Sequence, residues 1–146
     1  MSRASEQARP QLRPAALRSR FGETLASSLD FRTAVQRLAE FMTMHYADMC
    51  VIDVLDEDGA IAPIGVAASD PIVAAEFEQL RRRTPLSLSS DHPTARVLRR
   101  GRAELLPEMD RDMLTRFAQD DEQQRFVGRV GFRSVIIVPL VARGHQ

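Results

Sequence analysis

The chain has 146 residues, 44% hydrophobic and 27% charged, with 20 basic residues against 20 acidic ones and a formal net charge of zero. That balance suits one globular domain with a real core, and it excludes a whole-chain field that would draw nucleic acid or an anionic membrane. No apolar run approaches the ~20 residues of a membrane helix, and a single cysteine, Cys50, excludes an internal disulfide framework and suits a reducing cytoplasm.

Residues 1–14 are polar and punctuated by Pro10 and Pro14, with Arg3, Arg9 and Arg13 against Glu6, and they read as a disordered basic leader. No apolar stretch there resembles a secretory signal. Residues 15–28 regain helical composition, with Leu17, Phe21 and Leu25 four apart on one face, the spacing of a dimer or linker helix. Asp30 then stands as the N-cap of a helix running to about Tyr46. Its expected buried stripe is Phe31, Val35, Leu38, Met42 and His45 or Tyr46, with Arg32, Gln36, Arg37, Glu40 and Thr43 facing away.

Met49–Leu55 has strand composition and is apolar on both faces apart from Asp53, the pattern of a strand in the centre of a sheet. Asp56-Glu57-Asp58-Gly59 supplies turn chemistry, and Ile61 to Ala67 returns as the partner strand. Asp70-Pro71 opens a further helix whose inner face is Ala74, Phe77 and Leu80, or Val73, Phe77 and Leu80. Arg81-Arg82-Arg83 close it, cations in a last turn suiting the helix dipole. Leu86 to Ser90 reads as loop. Asp91 or His92 caps a short helix through Val97 and Leu98, stopped by Gly101. Arg102 to Leu106 is a short strand ended by Pro107. Two compact helices follow, one carrying Met113, Leu114 and Phe117, the other Phe126, Val127 and Val130, with Asp120 and Gln123 spaced as a capping box. Phe132 to Val141 reads as a buried strand, and Arg143-Gly144 behind it as a turn with no strand after it. The sequence therefore predicts a domain over 29–146 that is incomplete at its C-terminus, with an open sheet edge.

Four segments in this order resemble the GAF domain, a small sensory module of signalling proteins. They are Leu29-Asp30-Phe31, Cys50 through Gly59, Thr94 through Gly101, and Gly131 through Ser134 with Val138-Pro139-Leu140. The resemblance spans about Leu25 to Arg143. It implies an α/β (α+β) domain of GAF/PAS kind, an antiparallel sheet with helices on both faces, one set enclosing a ligand. It also implies an output partner such as a histidine kinase, phosphatase, cyclase or transcription regulator.

The chemistry-bearing residues narrow the role. Cys50 lies in an apolar strand with no cationic neighbour in sequence, so it reads as core and not as a reactive thiol. Asp56, Asp58 and Gly59 echo part of a calcium loop, but no glutamate closes it. Asp53 either faces a pocket and bonds a ligand, or satisfies a nearby backbone group or arginine. His92 is a helix cap, an exposed residue, or a ligand to a haem iron or polar group at a pocket mouth. No metal-ligand spacing, nucleophile elbow or glycine-rich phosphate loop exists. The chain has no asparagine, so the Asn-Lys-Phe-Asp-Glu signature of cyclic-nucleotide-binding relatives is absent.

The expected function is a non-catalytic sensory or regulatory domain, cytoplasmic and homodimeric, binding a small molecule of unknown identity and passing the signal to an output domain. The expected pocket residues are Asp53, Val51, Phe77, Leu80, His92, Val97, Leu114, Phe117 and Phe126. Nothing in the sequence points to a particular cofactor. The alternative is an interaction module with a filled core, dimerising through Leu17, Phe21 and Leu25 without any small molecule.

Overall fold

Residues 30–140 are described by a computed structural model, and helix α1, Phe31–His45, comes first. Its start is local chemistry: Asp30 accepts the Arg32 N–H at 3.1 Å on one carboxylate oxygen and the Thr33 hydroxyl at 2.9 Å on the other. Ala34, Val35, Ala39 and Phe41 are buried; of the stripe expected from the sequence, Val35 is thus buried and Leu38, Met42 and His45 are half-buried, while Phe31 is 68% exposed. The small residues let the helix approach a glycine closely. A Cβ on Gly65 would lie 2.9 Å from Val35 Cγ1 and 3.1 Å from the Val35 carbonyl oxygen. Gln36, expected on the solvent side, is half-buried, donating to the Val66 carbonyl at 2.8 Å and accepting the Val66 N–H at 3.0 Å. Its side-chain amide thus pairs a strand residue as a neighbouring strand would.

Strand β1 is Met49–Leu55 and β2 is Ala60–Ala68, joined by the expected turn. Asp56 accepts the N–H groups of Asp58 and Ala60 at 3.0 and 2.8 Å, and Gly59 takes a φ of 82°. Helix α2 is Pro71–Arg83. A two-residue strand β3, Leu86–Ser87, then completes a sheet of order β1-β2-β3. It pairs antiparallel with β2, Ala60 opposite Ser87 and Ile61 opposite Leu86. Leu86 to Ser90 has the composition of a loop, because a strand of two residues carries no alternation to read. β1, expected at the centre of the sheet, is its terminal strand among the described residues; the central place goes to β2, and Val54 is 41% exposed.

Helix α3 is Pro93–Arg100, ended by Gly101 at φ 62°. Ile61, Leu86 and Ala95 are fully buried together, with Leu55, Leu88 and Leu98 packed against them. Strand β4, Glu104–Leu106, pairs antiparallel with β5, Val135–Ile137, and Leu105 stands opposite Ile136. Between them lie α4, Arg111–Arg116, capped by Asp110, and α5, Asp121–Val130, capped by Asp120. The last strand is therefore shorter than expected and not buried on both faces: Ile136, Val138 and Leu140 are all more than half exposed. Alternation wins over the run's overall hydrophobicity because one face of the β4–β5 ribbon meets no packing layer among the described residues.

The chain divides into two compact units, one taking the chain to Ile52 with Pro63–Ala74, the other Asp53–Ala62 and the chain from Ala75. The basic leader, the helix expected at 15–28 with Leu17, Phe21 and Leu25, and the chain from Val141 lie outside the described residues.

Candidate functional site

The second unit carries a cleft of about 690 Å³, within the range of small-molecule sites. Its lining comes from the β3–α3 loop and α3, with Ser90, Asp91, His92, Arg96 and Arg99, and from Arg116, Ala118 and Gln119, where α4 runs into α5. Arg96 and Arg99 share a helix face because they are three residues apart. Arg96 is forked onto Glu104, through Nε at 3.1 Å and Nη2 at 2.5 Å. Arg99 donates from Nη1 to the carbonyls of Leu88 and Ser90, which ties the loop to the helix. Arg116 is exposed and has no carboxylate partner among the described residues.

His92 also lines the cleft. Its Nδ1 accepts the Thr94 N–H at 3.1 Å, capping α3, so the neutral ring carries its proton on Nε2. The ring meets Phe117 edge-on, centroids 5.4 Å apart. Burial, then the positive charges of Arg81 and Arg96, push its pKa down to about 4, partly offset by a hydrogen bond to the Phe117 backbone. His92 is thus uncharged at neutral pH. The Arg116–Gln119 segment is tied down: Gln119 Nε2 donates to the Thr84 carbonyl at 3.1 Å, and Gln119 N–H to Gln123 Oε1 at 2.9 Å. The Thr84 hydroxyl donates to Asp120 at 2.7 Å. The Gln123 backbone N–H, followed by that hydroxyl, keeps the Asp120 carboxyl below the usual carboxylate range.

The other residues singled out in the sequence lie off the cleft wall. Asp53 is joined to Arg81 at 3.0 Å, with side-chain exposures of 14% and 6%. Arg81 also donates to the Ile61 carbonyl at 3.2 Å and lies over the Phe77 ring, 5.6 Å from its centroid. Arg81 thus stands in the last turn of α2 with Arg82 and Arg83, as expected, and is in addition a buried partner to a strand carboxylate. Phe77 in turn meets Phe126, centroids 6.1 Å apart. Leu80 and Val97 are buried, while Val51, Leu114 and Phe117 are half-buried. Of the cleft residues, the sequence reading singled out His92. The i,i+3 spacing of Arg96 and Arg99 was a readable signal for a basic face, whereas nothing local marks Arg116. Cys50 is half-buried, and burial raises its thiol pKa, which disfavours the nucleophilic thiolate.

The chain matches the family model described as GAF domain over residues 30–145, and the mixed helices and antiparallel strands of the described residues agree with it. The chain belongs to the GAF domain family. No match was found among curated proteins or among solved structures. Membership makes this a regulatory type of domain. Among the described residues no cluster of three or more His, Cys, Asp or Glu side chains could hold a metal ion, and no helix is long and apolar enough to cross a membrane.

Proposed function

We propose that this GAF domain is a non-catalytic sensor that binds a small molecule in the cleft between Ser90–Arg99 and Arg116–Gln119. The observation that carries the reading is the construction of the cleft. Two segments distant in sequence are each tied down by side-chain hydrogen bonds, yet they leave an open volume between them. A ligand that favours one arrangement of these segments shifts the population toward it. Behind His92 and Phe117, the packed groups Leu80, Val97, Arg81 with Asp53, and Phe77 with Phe126 would feel that shift. An output domain, of kinase, phosphatase, cyclase or transcription-regulator type, would receive it. In this reading the protein works in the cytoplasm as a homodimer, with Leu17, Phe21 and Leu25 as the seam; Phe21→Asp should then sediment as a monomer, and a surviving dimer refutes the seam.

Thermal melting of the chain against nucleotides, haem and small metabolites tests the sensor role. A ligand present at about a hundred times its dissociation constant adds about 2.7 kcal/mol, a rise of several degrees in Tm. Flat melts across a broad library would favour the alternative, an interaction module that takes no small molecule.

A further inference from the structure

We infer that the molecule taken up by the cleft is a small anion bearing at least two negative charges, gripped by Arg99 and Arg116. This rests on the cleft being the ligand site, and it adds the ligand's chemical class. The chain as a whole is neutral, with 20 basic and 20 acidic residues. The cleft is not: its lining holds Arg96, Arg99 and Arg116 against the single carboxylate of Asp91. Glu104 engages Arg96 in a forked pair, so Arg96 contributes little further charge.

Arg99 is different. Its two acceptors are backbone carbonyls, which orient the guanidinium without neutralising it. Its Nε and Nη2 have no partner among the described residues, so an oriented, charged donor edge remains for a ligand oxygen. Arg116 lines the same cleft, exposed and with no carboxylate partner among the described residues. Two guanidinium forks from separate segments of the lining suit two separate anionic groups, carboxylate or phosphate, since either accepts paired N–H donors. His92 does not compete. Its Nδ1 holds the helix start by accepting the Thr94 N–H. A volume of about 690 Å³ leaves room for a molecular body between the two ends.

The test is a titration of the full chain, followed by amide resonances, with sodium pyrophosphate, with citrate, and with an uncharged series of nucleosides and sugars. At least one anion should saturate and move resonances of Ser90–Arg99 and Arg116–Gln119, more weakly as salt rises. Pyrophosphate alone would assign phosphate chemistry, and citrate alone carboxylate chemistry. Arg116→Gln should weaken that anion about tenfold, whereas Arg102→Gln, an exposed arginine outside the cleft, should leave its affinity unchanged. Equal losses in the two variants, or shifts elsewhere in the chain, would show diffuse charge attraction and overturn the inference. If uncharged compounds move the cleft resonances and neither anion does, the sensor reading stands and the anion does not. If nothing moves them, both fall.

Discussion

Removing the Asp53 carboxylate should cost the fold about 3–5 kcal/mol, a large share of the roughly 5–15 kcal/mol that holds a domain together. The magnitude follows from what Arg81 keeps. In Asp53→Ala its guanidinium stays buried, with the 3.2 Å bond to the Ile61 carbonyl and the face of Phe77 as company, while its Nε already lacks a partner. The reverse change is milder at low pH. In Arg81→Met the carboxylate can shed its charge by protonation, and burial has already pushed the Asp53 pKa up, outweighing the opposing pull of Arg81. The folded state therefore holds that proton more tightly than the unfolded chain does. Asp53's contribution to stability is greatest below the unfolded value of 3.8 and falls as pH rises through the raised folded pKa. Replacing both partners, Asp53→Leu with Arg81→Met, should come out near neutral or stabilising. Urea unfolding followed by circular dichroism at pH 7 measures all three variants. A loss under about 1 kcal/mol for Asp53→Ala, the scale of an exposed pair, would refute the claim that this pair is desolvated.

His92 should make the domain acid-sensitive. With its folded pKa near 4 against 6.5 unfolded, its contribution is complete above pH 6.5 and is lost as pH falls toward 4, by about 2–3 kcal/mol. His92→Asn keeps a capping side chain and should flatten the profile over that window; since Asp53 acts with the opposite sign, the difference between the two unfolding curves is the quantity to read. Gly65→Ala should destabilise by about 1–3 kcal/mol, because the new methyl would meet Val35 at 2.9 Å. An unchanged melting temperature there would mean that α1 moves away from the strand at no cost.

What the sequence by itself determined is the chemistry that acts within a few residues. Asp30, His92 and Asp120 cap the helices that follow them, and Gly101 and Gly131 end theirs in the left-handed conformation. The Asp56–Gly59 turn joins the two strands it was expected to join. Such groups satisfy one another over two to five positions, so their partners can be read from the chain. The residue order of the GAF domain was legible for the same reason, being a succession of local starts and stops. What only the tertiary structure decided is which distant group each side chain meets. Gln36 has the composition of a solvent-facing residue, and it is drawn inward by a strand peptide 30 positions away. Arg81 sits in a run of three arginines, and only what it meets across the fold, Asp53 and the Ile61 carbonyl, distinguishes it from Arg82 and Arg83. The cleft shows the same limit. Arg96 and Arg99 are paired by helical spacing, but Arg116 joins them through the path of two intervening elements, and no local pattern encodes where a charge arrives once the chain has turned back.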